Sequence, residues 1–378
     1  MTMPAPAATA AQIYTARLTR AQSLLHANGF DYLFVGPSAD LIYLTGIDKH
    51  ISERMTLLVV HQTGPAYLVV PAFEAGGLPA LPDLIHVAPW QEHEDPAALV
   101  RRLLEVPGGA SACTVAVGDY LAAVFLLRLQ AALPWAACTP AQLVLPALRL
   151  IKDEAEVALL REAGARADAA FVEFQQVPFA GRSETDVAGQ LAEILRRKGL
   201  ATPWGPIVAS GPNGASPHHT AADRVIQPGD LVVLDFGGVY RGYNADMTRT
   251  VAVEHPPEAE ALAVYEQVRA AQAAAFQAAR PGMTCQALDA IARDLLNAGG
   301  YGRYFTHRLG HGIGLDGHEA PYLVTGNTMP LQAGMAFSIE PGLYLPGRFG
   351  VRIEDSVVLH ADGAESMNNS PRELLTVH

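Results

Sequence analysis

The stretch LVVLDFGGVYRGYNADMTRT, residues 231–250, constrains this chain more than any other. Leu231, Val232, Val233 and Leu234 are strand formers with no polar face, so they read as a buried strand, yet Asp235 interrupts the run. An ionised carboxylate in such surroundings is costly unless a cation compensates it. A second one, Asp246, follows eleven residues later. On one straight strand that odd separation puts the two side chains on opposite faces, because the strand period is two. A reversal around Tyr240, Arg241, Gly242 and Tyr243 changes this, since Gly242 supports a tight turn and Asp235 and Asp246 become cross-strand partners.

The construction occurs twice. In MAFSIEPGLYLPGRFGVRIEDSVVL, residues 335–359, Glu340 ends one apolar strand and Glu354 interrupts the next, with PGLYLPGRFG as a loop between them. The helical segments GRSETDVAGQLAEILRRKG (181–199) and GMTCQALDAIARDLLNAGG (282–300) superpose at an offset of 101, with Ser183 on Thr284 as N-cap and Val187, Ile194 and Leu195 on Leu288, Leu295 and Leu296. A long helix precedes each unit and a strand pair with two carboxylates follows it. The expected architecture is a duplicated α+β unit.

Four carboxylates that converge cannot stand alone. At ~4 Å and an effective dielectric near ~20, each like-charge pair repels by about 4 kcal/mol, and several such pairs rival the ~5–15 kcal/mol stability of a domain. Neither hairpin holds a lysine; Arg241, Arg249, Arg348 and Arg352 are the basic alternatives to a metal. The segment HRLGHGIGLDGHEAP adds His307, His311 and His318 among glycines, and NGASPHHTAADR adds His218 and His219. One imidazole with four carboxylates, two of them bridging, suits two divalent ions and a shared water.

Bulk properties narrow the setting. A chain of 378 residues accommodates two domains, and a formal net charge of −12 argues against nucleic-acid or anionic-membrane partners. Cys113, Cys138 and Cys285 are too few and too scattered for a disulfide framework or a thiolate zinc site, which points to a reducing cytoplasm. The opening MTMPAPAATAAQ has no signal-peptide pattern and reads as a frayed terminus, and no apolar run is long enough to span a membrane. Between Tyr14 and Leu145 helical patterns alternate with the strand patterns DYLFVG, MTLLVVH, AYLVVP and TVAVG, as in a small α/β domain. Asp153 and Glu156 form a capping-box pattern at the start of a long helix, which sets the domains at 1–147 and 148–378.

From Leu148 onward, PHH, LVVLDFG, YNADMTRT, HRLGHGIGLDGHE, FSIEPGLY and VRIED, in that order, resemble the pita-bread metallopeptidases: Xaa-Pro aminopeptidases, prolidases and methionine aminopeptidases, with creatinase as a metal-free relative. YLTGIDKH, Glu53 with Arg54, and LVVP resemble the N-terminal domain of the proline-specific branch. The resemblance implies an α+β pita-bread catalytic domain with an internal pseudo-two-fold repeat, preceded by a smaller α/β creatinase-type domain. It implies Asp235 on one metal, Asp246 and Glu354 bridging both, and His311 and Glu340 on the second, with Mn²⁺ the usual ion and Co²⁺ or Zn²⁺ also suited. Glu340 would in addition shuttle a proton, His218 and His318 would steady the substrate and tetrahedral intermediate, and His307 would line the proline-side pocket. Arg352 would orient carboxylates or substrate. A homodimer is implied as well.

The substrate would be a peptide with proline in second position, hydrolysed by hydroxide generated between the metals. An aminopeptidase is expected over a dipeptidase, because Tyr322 stands where several prolidases carry the arginine that meets the substrate carboxylate. Arg303, Arg348 or a partner subunit could restore that charge, which would make the chain an Xaa-Pro dipeptidase. A binding protein without catalysis and a metal-free creatinase-like hydrolase are the further alternatives.

Overall fold

The computed structural model describes residues 10–378 except 80, 105–111 and 203. The chain divides into two compact units, Met1–Arg149 and Leu150–His378. Up to position 9 the opening expected to fray lies outside the described residues; Ala10–Gln12 already belong to the helix Ala10–Ala27.

The first unit holds a sheet of six strands: β1 (Tyr32–Val35), β2 (Leu57–His61), β3 (Ala66–Pro71), β4 (Ile85–Trp90), β5 (Cys113–Val117) and β6 (Ala136–Pro140). Their order is β4-β3-β2-β1-β5-β6, antiparallel through β1, β2 and β3 and parallel elsewhere. Phe34, Leu57, Val59, Val69 and Val115 pack one face against Val100, Phe125 and Leu129 of the covering helices. The two strands absent from the sequence reading, β4 and β6, are the edges. Each needs only one ladder, and β4 tolerates Pro89 for that reason.

The second unit begins with the helix Glu154–Phe174. Asp153 caps it, accepting from the Glu156 amide while Glu156 Oε2 accepts from the Asp153 amide, the expected capping box. Its strands are β7 (Ile207–Ser210), β8 (Leu231–Tyr240), β9 (Tyr243–Val253), β10 (Gly310–Gly312), β11 (Glu319–Leu323), β12 (Ala336–Ile339), β13 (Gly342–Leu345), β14 (Phe349–Arg352) and β15 (Glu354–Leu359). The main sheet runs β11-β10-β12-β15-β9-β8-β7, with Ala364–Ser366 beside β15 and Leu375–Val377 beside β9. Helices Glu184–Arg197 and Cys285–Ala298 sit at the offset of the sequence repeat, capped by Ser183 and Thr284. Each half has its own apolar core: Val187, Leu191, Val232, Leu234 and Phe236 in one, Leu288, Ala292, Leu296, Phe337 and Ile339 in the other. The halves meet where β9 pairs with β15.

Both hairpins differ from expectation in a way that matters for the site. The turn between β8 and β9 is the expected one, with Arg241 at φ 47 and Gly242 at φ 90, the left-handed pair that a two-residue turn matching the strand twist requires. Its register pairs Asp235 with Thr248 and Asp246 with Gly237, so the carboxylates are diagonal neighbours on one face and not directly opposed. Gly237 is obligatory there, since a Cβ would lie 1.9 Å from the Ala245 carbonyl oxygen. In the second half, PGLYLPGRFG is not an open loop: β13 and the start of β14 lie in it and the two strands pair as a ribbon. No helix among the described residues is long and apolar enough to cross a membrane.

Candidate metal centre

Alternation along β8 sends Val232, Leu234 and Phe236 into the helix-covered core and Asp235 to the other face. There it meets Asp246 of β9, Glu354 at the start of β15, Glu340 just after β12, and His311 of β10. Ligand atoms of Asp235, Asp246 and Glu354 lie within 4.8 Å of one another, as do those of His311, Glu340 and Glu354. The two triads share Glu354. A third such group joins Asp246 and His311 to His318, whose ring centroid is 3.8 Å from that of His311.

Each side chain is held from behind. His311 is threaded between Gly310 and Gly312, where a Cβ would lie 2.0 Å from Ser338 O and 2.2 Å from Ala320 O. Its Nδ1 faces the Gly312 carbonyl at 3.1 Å and acts as donor, which leaves Nε2 as the nitrogen that faces Glu340 Oε1 (3.2 Å) and Asp246 Oδ2 (3.9 Å). Ser338 Oγ accepts from the His311 amide and donates to Glu340 Oε1, both at 3.0 Å. Thr248 Oγ1 donates to Glu354 Oε2 at 2.7 Å, while Glu354 Oε1 is buried without a hydrogen-bond partner. A bare buried carboxylate oxygen aimed among four other donor groups is what a divalent cation would satisfy.

The electrostatics agree. Burial, then the charge of Asp235, pushes Asp246 well above the ordinary carboxylate range; burial, then Asp246 and Glu340, does the same to Glu354. Burial also opposes charge on Glu340 and His311, but their hydrogen bond and mutual attraction outweigh it, lowering Glu340 and raising His311. Of the four arginines weighed from the sequence, only Arg352 reaches the cluster. Arg249 is committed to Asp355 and to backbone carbonyls, Arg348 to Glu260, and Arg241 lies over the Tyr240 ring in the turn. One guanidinium on one carboxylate leaves the cluster short of positive charge, and the donor set fits two oxygen-preferring divalent ions.

The profile of Metallopeptidase family M24 matches residues 158–361, and that of the Creatinase/Prolidase N-terminal domain matches residues 17–151. This chain belongs to metallopeptidase family M24. It is 43% identical over 371 residues to a probable dipeptidase PepE of Mycobacterium tuberculosis, covering 97% of each chain. It is 35% identical over 360 residues to an Xaa-Pro dipeptidase of Lactobacillus delbrueckii subsp. lactis, covering 94% of this chain and 98% of the other. The crystal structure of dipeptidase PepE from Mycobacterium ulcerans superposes with a TM-score of 0.91 at 42% identity, covering 98% of this chain and all of that one. The pita-bread architecture with a creatinase-type N-terminal domain follows from these matches and the sheet described above.

Two cavities flank the carboxylates of this M24 chain and share Asp235, Asp246 and His318. One, of ≈ 470 Å³, is also lined by His218, His307, Arg308 and Glu340. The other, of ≈ 430 Å³, is also lined by Trp204, Val239, Asn244 and Leu315. His218 is exposed toward the first, whereas its neighbour His219 turns away and donates to the buried Glu184 at 2.7 Å. Burial, then the charges of His311 and Arg308, pushes His318 down to about 4, so its imidazole is neutral at physiological pH.

Of the three expected substrate contacts, His307 and Arg352 line the first cavity and Tyr322 does not. Arg352 has four of its five N–H donors committed within the protein: its guanidinium reaches Asp235 Oδ2 (2.5 Å), the Tyr344 hydroxyl (2.9 Å), Pro217 O (3.1 Å) and Thr248 Oγ1 (3.0 Å). It orients Asp235. His307 lines the cavity, but Nδ1 donates to Arg308 O (2.7 Å) and Nε2 accepts from Tyr344 (2.9 Å), so it offers a ring face and no spare nitrogen. Tyr322, 38% exposed, lies outside the cavity lining with the Arg308 guanidinium 4.5 Å above its ring. Arg303 bonds Tyr304, and neither it nor Arg348 lines the cavity. The sequence reading missed Arg308, although an arginine between His307 and His311 in a glycine-rich loop was the signal available.

Proposed function

We propose that this chain is a metal-dependent Xaa-Pro dipeptidase. The single observation that carries a metallopeptidase reading is the pair of triads sharing Glu354, with its bare buried Oε1. Dipeptidase relatives aligned along nearly the whole chain favour that specificity over the aminopeptidase expected from the sequence. The aminopeptidase expectation rested on the missing charge at position 322, and the Arg308 guanidinium 4.5 Å above the Tyr322 ring puts a charge nearby, which supports the dipeptidase reading.

In this reading Asp235, Asp246, His311, Glu340 and Glu354 hold two divalent ions, Mn²⁺ by preference for an oxygen-rich set with one imidazole, which when bound supply an acidified water and polarise the scissile carbonyl. Glu340 receives the proton released by the attacking water and passes it to the leaving nitrogen. An Xaa-Pro bond is a tertiary amide whose departing nitrogen carries no proton of its own, so this transfer precedes departure. His318, neutral, and His218 donate to the carbonyl oxygen as negative charge gathers on it. Arg352 acts through Asp235, fixing that carboxylate's direction. The residue before proline occupies the cavity of Trp204, Val239 and Leu315, and proline the cavity of His307.

Cys113, Cys138 and Cys285 are free thiols, which supports a reducing, cytoplasmic setting; a homodimer completes the reading and is checked by light scattering. Comparing kcat/KM for alanyl-proline with that for alanyl-prolyl-glycine tests the specificity. The proposal expects the dipeptide to be favoured by about tenfold or more, the effect of one charge-assisted contact. A preference for the tripeptide would return the assignment to an aminopeptidase.

A further inference from the structure

The loop 313–318 joins β10 to β11, beginning two residues after His311 and closing where Gly312 pairs with Glu319. Leu315, Asp316 and Gly317 line the ≈ 430 Å³ cavity, and His318, at the end of the loop, lines both cavities. The His318 ring is exposed and, apart from its contact with the His311 ring, no hydrogen bond from another described residue holds it. Its direction is therefore set by the loop backbone beneath it.

Two grips hold that backbone. From β9, the Asn244 amide donates to Gly314 O (2.9 Å), and its Nδ2 donates to Gly314 O and Leu315 O (both 3.0 Å). From the foot of β11, Glu319 turns its carboxylate back into the loop. There Oε2 accepts from the Asp316 amide at 3.3 Å, and Oε1 lies so close to Gly314 that a Cβ at that position would come within 2.6 Å. Lys152 holds this carboxylate, its Nζ 2.6 Å from Oε1, with only 2% and 5% of the two side chains exposed. Lys152 is itself a fixed point. Its amide donates to Gly334 O (2.8 Å), the Gly334 amide donates to Leu359 O of β15 (2.7 Å), and the next residue, Asp153, is the N-cap of the helix Glu154–Phe174.

A buried ion pair is a poor source of stability, because the cost of drying two charges offsets their attraction and well-packed apolar side chains of similar size often serve as well. What an apolar pair cannot do is present a carboxylate to the Asp316 amide. We infer that Lys152, acting through Glu319, is a positioning residue that fixes the 313–318 loop so that His318 faces the scissile carbonyl. The inference rests on the proposed peptidase reading and adds to it a residue outside the lining of both cavities. The charge that His318 meets develops only during the reaction, so a displaced loop should act on kcat and leave substrate and metal binding little changed.

The test uses Lys152→Met/Glu319→Leu, which removes both charges and fills the space they leave, in the full-length protein loaded with Mn²⁺ and assayed on alanyl-proline. Its kcat should fall about 10- to 100-fold, the effect of a displacement near ~1 Å, with KM within about threefold of wild type and bound metal unchanged. His318→Ala alone should lower kcat by about 100- to 1,000-fold, the loss expected of one donor to a developing oxyanion. Introduced into Lys152→Met/Glu319→Leu, it should cost at least about tenfold less than in wild type, because the imidazole is already out of place. Glu319→Gln keeps the shape and an acceptor for Lys152 while weakening the grip; it should show a smaller loss of the same kind, and it carries the test if the paired variant does not fold. A wild-type kcat in these variants overturns the inference, and so do losses that multiply in full with that of His318→Ala, which mark an effect bypassing the histidine. Reduced metal content in the variants would make the link a prop of the ion centre and likewise overturn it. A wild type that hydrolyses neither alanyl-proline nor alanyl-prolyl-glycine removes the peptidase reading, and the inference with it.

Discussion

Glu354 accepts from Thr248 through one oxygen and leaves the other bare, in contrast to Glu340, another of the four carboxylates. Glu340 is bonded to Ser338 and faces His311, an arrangement that keeps it ionised and beside the ≈ 470 Å³ cavity. Replacing it by glutamine preserves shape while removing the base of the proposed reaction. At saturating Mn²⁺, Glu340→Gln should lower kcat for alanyl-proline by about 100- to 10,000-fold, the span of general acid–base catalysis, with an unaltered dichroism spectrum. A folded, metal-loaded variant with the wild-type rate would remove Glu340 from proton transfer. At this scale the gathering of carboxylates was legible in the sequence, because Asp235 and Glu354 each interrupt an apolar strand and Glu340 ends one, which a cation makes tolerable. Arg308 was not legible. An arginine in a loop reads as solvated until folding shows what stacks on it.

Helices and strands place these residues, and two buried carboxylates on the repeat helices fasten the loops. Asp289 holds the loop of Leu309 and, through Arg293, that of His307; Glu184 does the same in the first half for the loop of His218. Glu184 accepts from Ser210 N (2.7 Å) and Oγ (2.6 Å), Asn213 Nδ2 (3.1 Å), His219 Nε2 (2.7 Å) and Ala222 N (3.2 Å). Burial alone would raise its pKa, but the bonds from Ser210, His219 and Asn213 outweigh it and the net shift is downward. A carboxylate lowered on folding stabilises the protein above its unfolded pKa near ~4.3, and the contribution disappears as pH falls through the folded value. Glu184→Gln should therefore cost about 1–3 kcal/mol at pH 7 by urea unfolding, with a gap to wild type that narrows below pH ~4. An equal gap at pH 7 and pH 3.5 would show that the charge on Glu184 contributes nothing. From sequence, Glu184 is one more acidic residue in a first helical turn; its burial depends on β7 and the His219 loop arriving from elsewhere in the chain. The hairpin register escaped for a related reason. The pattern specified a turn at Arg241 and Gly242, but the ladder sets Asp235 against Thr248 and leaves the two aspartates diagonal.

For the molecule, duplication has a direct chemical consequence. Asp235 and Asp246 belong to the first half of the catalytic unit, His311, Glu340 and Glu354 to the second, and both triads converge beside the β9–β15 seam. Neither half can supply a centre alone, and without cations the seam gathers four acidic groups of which two are driven toward protonation. Ions that bind only the folded chain should stabilise it by mass action as they join the halves. The proposed dinuclear centre is tested most directly by a calorimetric titration of the metal-stripped protein with Mn²⁺, run alongside hydrolysis of alanyl-proline at each point. Two ions should bind per chain, with no hydrolysis before metal is added and activity that rises as the pair fills. Full hydrolysis in the presence of excess chelator, or a folded protein that binds no metal, would rule the centre out.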